Sequence, residues 1–327
     1  MTAPVLSLIV PNHNHTERLP RLFDSILAQS FKDLEVILVD DCSDASCAPL
    51  VEAWQDKGLS ISLLEHTQRI YTLQARLAGI RAAKGQIIAF ADADDLLCGE
   101  GAMERNVELF LRHTPDILHF RFSVIDDSGA FVGYADHETE PRKQFAYGEE
   151  VFSLFAQSSF YHMAPLWNKY YSRELCNILE KINYPDSITL YFNDLCFNSL
   201  SFYHANKYAG SETIGYLYKY DADAYINKAK GRAVACYRIL NFVDEYLSDN
   251  KCKDIYREQY KKSALRTIAL QIGKVCRDIY EKHEQNPQQD TLENLLTYAD
   301  EQTWMKILLL GNGYNADKVC NIYHLIN

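Results

Sequence analysis

Three aspartates fall within four positions in the stretch FADADD, at Asp92, Asp94 and Asp95, directly after the apolar run Ile87-Ile88-Ala89. In extended backbone, side chains two residues apart face the same way, so Asp92 and Asp94 would present two carboxylates to one side. Such charges repel unless a cation joins them. Hard divalent ions such as Mg2+ or Mn2+ take oxygen ligands and often combine one or two carboxylates with the phosphates of a substrate. The spacing therefore suits a metal–diphosphate site. A helix cap explains the same residues without a ligand, with Asp95 the best placed for it.

Two further polar clusters follow apolar runs: Pro11-Asn12-His13-Asn14-His15, and Asp40-Asp41-Cys42-Ser43-Asp44. A carboxylate at a strand end can accept the N–H of a nucleobase, and a surface turn accounts for the same residue types. His13 could offer its ring to a base, or pair with His15 at a metal, or belong to a merely polar loop. Arg76 is either a phosphate or base contact or a solvated helix residue. Asp194, in NDLCF, is either a helix N-cap or a general base. Trp167-Asn168-Lys169 reads as a packed strand with a snorkelling lysine.

The elements that must position these residues alternate. Strands are predicted at Val5–Val10, Leu34–Val39, Ser60–Glu65 and Gln86–Ala91. Helices are predicted at Glu17–Gln29, Ala48–Asp56 and Leu73–Ala83, the last ended by Gly85 as a left-handed cap. Such alternation argues for an α/β fold with a mostly parallel sheet flanked by helices, whose ligands bind at the carboxyl ends of the strands. The three polar clusters all fall at those ends. Further on, a helix is expected at Met103–Arg112 and strands at Asp116–Ile125, Phe131–Tyr134, Leu166–Tyr171 and Thr213–Tyr220. Residues 136–146 read as a loop, Asp194–Tyr203 as a helix, and Lys228–Ala299 as helical segments broken at Pro287. Lys306–Leu310 is a strand or a helix end.

The chain has 327 residues, enough for one large or two small domains. Its 33 Lys+Arg against 44 Asp+Glu give a net charge of -11. That disfavours sequence-independent nucleic-acid binding, which demands Lys and Arg, but not a nucleotide whose phosphates a metal neutralises. Nine cysteines without a CxxC pair read as reduced thiols, not a disulfide frame or zinc site. The start MTAPVLSLIV lacks the pattern of a signal peptide, and no apolar run approaches the roughly 20 residues of a membrane span. The expectation is a cytoplasmic protein, with room for peripheral contact at the inner membrane face.

Together, SLIVPNHN at 7–14, SILAQSFKDLEVILVDDCSD at 25–44, ARLAGIRAAKGQIIAFADADD at 75–95, PLWNKYYSREL at 165–175 and NDLCF at 193–197 resemble glycosyltransferase family 2 on a GT-A fold. The resemblance covers about residues 1–220. It implies a GT-A domain at 1–225, with a nucleotide-binding half at 1–100 and an acceptor half at 101–225, followed by a helical region at 226–327. It implies inverting, Mg2+- or Mn2+-dependent transfer of a sugar from a nucleotide-diphosphate donor, a UDP-sugar, to a hydroxyl of a glycan or glycolipid. Family habit places such acceptors in bacterial surface polysaccharide, lipopolysaccharide or capsule.

By this resemblance Pro11, His13 and Asn14 belong to the nucleoside-binding loop and Asp41 recognises the base. Arg76 matches the arginine of the family's ARNxG segment. Asp92 touches ribose or metal, Asp94 ligates the metal, and Asp194 is the base that deprotonates the acceptor. Four positions depart from the family pattern. His13 stands for a tyrosine, Cys42 for a glycine, Leu77 for the Asn of ARNxG, and Asn193 for an acidic partner of Asp194.

Other classes fit less well. Nucleotidyl or phosphoryl transfer uses the same carboxylate–metal chemistry, but the chain has no GxxxxGK[ST]. A dinucleotide dehydrogenase would need glycines where PNHNH stands. A non-catalytic glycan-binding scaffold would not need Asp41, Asp92, Asp94 and Asp194 together. In the tail, Tyr256, Arg257, Tyr260, Lys261, Lys262 and Arg266 suit a membrane or partner surface, or a packing element through which copies of the chain associate.

Overall fold

The computed structural model describes residues 3–126, 128–134, 141, 143–158, 163–185, 188, 192–219, 229–264 and 267. The chain divides into two compact units: Met1–Phe155 with His162–Tyr220, and Ala156–Tyr161 with Asp221–Asn327.

The first unit opens with the predicted alternation: β1 (Leu6–Asn12), α1 (Leu19–Leu27), β2 (Leu34–Asp40), α2 (Ala48–Asp56), β3 (Ile61–Glu65), α3 (Tyr71–Ala82) and β4 (Ile87–Phe90). Then come β5 (Leu96–Leu97), α4 (Ala102–His113), β6 (Ile117–Ile125), β7 (Phe131–Tyr134), β8 (Phe145–Tyr147) and α5 (Glu149–Ala156). It closes with β9 (Lys169–Ser172), α6 (Arg173–Leu179), α7 (Asn193–His204) and β10 (Lys207–Lys219). One sheet runs β3-β2-β1-β4-β9-β6-β10-β5, with β7 on β6 and β8 on β10. β1 to β4 pair in parallel, and β9 runs antiparallel between β4 and β6.

Strands covered on both faces need apolar residues on both, which is why IIAF is wholly apolar and LSLIVPN and LEVILVD are nearly so, with Ser7 donating to Glu35 at 2.6 Å where they are interrupted. Leu6, Leu8 and Val10 share a buried cluster with Leu19, Leu22, Phe23 and Ile26, the apolar stripe of α1. Ile9 meets α3 instead: a Cβ at Gly79 would lie 2.4 Å from Ile9 Cγ2, so only glycine lets helix and strand approach this closely.

The structure corrects several expectations. Gly85 is not a left-handed cap. α3 ends at Ala83 in extended backbone, and Gly85 is needed because a Cβ there would meet Ser7 N at 2.6 Å. The loop expected at 136–146 ends in strand β8, which pairs with β10; residues 135–140 and 142 lie outside the described set. β10 begins six residues before its predicted start. Trp167 and Asn168 precede β9, and Lys169 does not snorkel; it is fully buried. Helices α5 and α6 had no predicted counterpart.

In the second unit α8 (Ala229–Asp249) is followed by helical residues 254–264. Ile239, Leu240, Val243, Leu247 and Tyr260 form its buried side. Arg257 clasps Asp244 with bonds of 2.7 and 3.0 Å, and Lys261 pairs with Glu258. Tyr260 is thus buried within the unit and Arg257 paired within it, while Lys261 pairs at its exposed surface. Arg266, the Pro287 break and Lys306–Leu310 lie outside the described residues. Among those residues no helix is long and apolar enough to cross a membrane.

Candidate active site

The parallel register brings the polar strand ends together. Asn12 pairs with Asp40, and Asn12 Nδ2 donates to Asp40 Oδ1 at 2.8 Å. Burial alone would raise the Asp40 pKa, but bonds from Ser43, Asn12 and Cys47 outweigh it and hold the carboxyl below its ordinary value. Asp40 is thereby committed to the loop.

Asp41 is buried, its Oδ1 accepting from Ile70 N at 2.6 Å and its Oδ2 from Arg69 Nε at 3.2 Å. His13 Nδ1 lies 2.8 Å from the Asp41 carbonyl, which can only accept, so the ring proton sits on Nδ1. His13 Nε2 then accepts from Arg69 Nη1 at 2.6 Å. Asn14 and Asp44 bond reciprocally across the two loops, at 3.1 and 2.8 Å. Pro11 lies within β1, in register with Val39. His15 pairs with Glu17 at 3.9 Å rather than with His13. Arg69 was not singled out by sequence reasoning, because one arginine in a polar loop carries no periodic signal.

Four non-glycine residues with positive φ border these groups: Asn14 (57°), Cys42 (59°), Tyr71 (63°) and Phe192 (57°). Left-handed backbone is costly for such side chains and clusters where surroundings impose it, often at functional sites.

After Phe90, the last residue of β4, ADADD leaves the strand and turns at Ala93-Asp94. Arg76, expected on a solvated helix face or at a ligand, is buried and donates through Nη2 to Asp92 Oδ1 at 2.9 Å and through Nη1 to Asn193 Oδ1 at 2.6 Å. It ties the aspartate turn to the start of α7. Burial raises the Asp92 pKa, Arg76 opposes this, and the Asp94 charge adds to it. Arg18 Nη1 donates to Asp94 Oδ2 at 3.0 Å. Asp95 is no helix cap: the next element is strand β5, and the buried carboxylate accepts from Tyr216 Oη at 2.9 Å and from Lys219 N at 2.7 Å.

Asp194 lies in the first turn of α7, partly exposed, and the N-cap position belongs to Phe192. Its Oδ1 accepts from Leu195 N at 2.9 Å. Burial raises its pKa, with Arg76 and the Leu195 N–H opposing. Asn198, one turn further, donates to the carbonyls of Met163, Ala164 and Pro165, and Lys169 Nζ donates to Pro165 O at 2.6 Å. The Lys169 ammonium is thus seated beside the Asp194 face of the helix, and burial pulls its pKa down to about 7 while Asp194 opposes the fall. The structure therefore gathers Asp41 and His13 at one end of the edge, and Arg76, Asp92 and Asn193 at the other.

No group of three or more His, Cys, Asp or Glu that could hold a metal occurs among the described residues. Asp92 and Asp94 offer two hard oxygen donors with side chains 36% and 34% exposed. This set fits a divalent cation that completes its coordination from phosphates and water, and not one needing a closed protein cage.

The family model for "Glycosyl transferase family 2" matches residues 7–192. The poly(ribitol-phosphate) β-N-acetylglucosaminyltransferase TarS of Staphylococcus aureus is 29% identical over 126 residues, 38% of this chain and 22% of TarS. The amylovoran biosynthesis glycosyltransferase AmsB of Erwinia amylovora is 36% identical over 91 residues, 27% of this chain and 30% of AmsB. Both matches span under a third of the relative's own length. In structure, TarS 1-349 superimposes with a TM-score of 0.64 at 18% identity, covering 96% of this chain and 82% of that one. TarS 1-349 in complex with UDP gives 0.55 at 19% identity, over 82% and 80%. A Pyrobaculum calidifontis mannosyltransferase in complex with GDP-Man and Mn2+ gives 0.58 at 15% identity, over 97% and 88%. At these identities the likeness shows the α/β GT-A fold.

Proposed function

The chain belongs to glycosyltransferase family 2, and from that premise we propose that it moves a sugar, with inversion, from a nucleotide-diphosphate donor to a glycan hydroxyl. The observation that carries the reading is Arg76, which joins the aspartate turn to the helix bearing Asp194. A donor held at the turn would have its reacting end beside a carboxylate whose burial makes it a stronger base.

In this reading Asp41 accepts the N–H of the base, Arg69 and His13 border it, and Pro11 and Asn14 shape the loop. Asp92 and Asp94 would hold Mg2+ or Mn2+, and Asp92 would also serve the ribose. The cation, when bound, neutralises charge on the departing diphosphate. Asp194 takes the proton of the acceptor hydroxyl as the oxygen attacks the anomeric carbon. The bond from that carbon to the diphosphate breaks, and its electron pair leaves with the nucleotide. Arg76 places positive charge near Asp92 and Asp194 and does not enter the bond changes.

UDP is the favoured nucleotide, supported by the family's habit and by the UDP complex of TarS. The acceptor is a growing surface glycan, lipopolysaccharide or capsule, or a glycolipid, in keeping with the polymers named in AmsB and TarS. A cytoplasmic location, peripheral at the inner membrane face, fits such an acceptor. The test is acceptor-dependent release of UDP from a panel of UDP-sugars by the full chain, and its loss in Asp194→Asn.

A further inference from the structure

The three aspartates of the turn are held unequally. Asp92 is tied to Arg76, a buried guanidinium that Asn193 fixes in turn. Asp95 is buried between the Tyr216 hydroxyl and the Lys219 N–H. Asp94 is held by Arg18, which reaches over from the segment between β1 and α1, and both side chains of this pair are 34% exposed. The other contact of Arg18 is Nε to Glu17 Oε1 at 3.5 Å, a carboxylate 68% exposed. Asp95 is therefore structurally committed, Asp92 is anchored through one oxygen to a buried arginine, and Asp94 has a partner that can be exchanged.

Arginine keeps its charge at any pH the enzyme meets. A dication arriving at Asp94 alone must share the carboxylate with a guanidinium that repels it. A diphosphate changes this balance. It brings negative charge for the cation, and it offers phosphate oxygens, whose geometry suits the guanidinium fork.

We propose that Arg18 makes cation binding at Asp94 conditional on the donor: it neutralises Asp94 beforehand, then surrenders it to the cation and moves to a phosphate oxygen of the diphosphate. The proposal rests on the reading of Asp94 as the cation's ligand. Its consequence is reciprocal linkage, in which nucleotide tightens cation binding and cation tightens nucleotide binding by the same factor.

The test measures Mn2+ binding to the full chain by electron paramagnetic resonance of the free ion, alone and with saturating UDP or GDP. Arg18→Gln should bind Mn2+ alone about two- to fivefold more tightly than wild type, the size of a partly exposed ion pair. Nucleotide should then enhance its Mn2+ affinity less than it does in wild type. Arg18→Lys retains the charge and should stay near wild type, which separates charge from a packing defect. Equal Mn2+ affinity of Arg18→Gln and wild type without nucleotide, with unchanged enhancement, overturns the proposal. So does the lack of Mn2+ binding in a wild-type protein that still binds UDP, an outcome that leaves the nucleotide site standing. Failure of wild type to bind any nucleotide overturns both.

Discussion

Arg76 Nη2 donates to Asp92 Oδ1 at 2.9 Å, across the boundary between α3 and the turn after β4. The same guanidinium is buried and anchors Asn193, so removing it strands two polar groups. Arg76→Met should cost about 2 kcal/mol in denaturant unfolding, below the full penalty for breaking a buried pair because Asp92 stays partly solvated. Arg76→Lys keeps the charge but not the fork, and should recover part of that loss. An unchanged midpoint in Arg76→Met would show that the pair does not hold the site together.

Asp194→Asn should retain donor binding and lower turnover by about a hundredfold or more, the scale of a lost general base. Burial raises the Asp194 pKa and only its ionised form can accept a proton. Turnover of the wild type should therefore climb with pH on a limb above the ordinary carboxylate range, and the limb should vanish in the variant. Retained turnover in Asp194→Asn would remove it from the base role.

Lys169 offers a pH test of the fold itself. Its folded pKa is depressed from 10.5 to about 7, so between those values the unfolded chain holds a proton that the folded chain has released. Stability from this group therefore rises with pH through that window and levels off on either side, by at most about 1.4 kcal/mol per pH unit. Thermal melts at pH 7 and pH 9 should show wild type gaining on Lys169→Met. A gap that stays constant would contradict the depressed pKa of the buried Lys169 amine.

Asp95 can be separated from its neighbours. Asp95→Ala leaves the Lys219 N–H and Tyr216 hydroxyl without acceptors, and should cost about 1–3 kcal/mol of stability. Asp95→Asn can accept from one and donate to the other, and should fold near normally. Equal effects of the two changes would count against the anchoring role.

The order of β1 to β4 and their helices was legible because strands buried on both faces are apolar runs and α1 carries a clean stripe. The polar clusters at the strand ends followed from that order. Other features depend on contacts distant in sequence. Asp95 reads as a cap until β10 delivers Tyr216 and Lys219 to it, 121 and 124 residues later. Arg76 reads as solvated until Asn193 closes over it, 117 residues on. Lys169 looks amphipathic in isolation and is buried because Asn168 and the Pro165 carbonyl satisfy its ammonium. Gly85 reads in sequence as a conformational need, whereas the real constraint is the approach of Ser7.

The strand-end aspartates should bind a nucleoside diphosphate together with a divalent cation. The direct measurement is the melting temperature of the full chain with UDP and Mn2+, against Asp94→Ala under the same conditions. Saturating ligand should stabilise the wild type by about 2–3 kcal/mol, several degrees in the melt, and the shift should vanish in the variant. No shift with UDP, GDP or any other nucleoside diphosphate, with Mn2+ or Mg2+ present, would contradict the account.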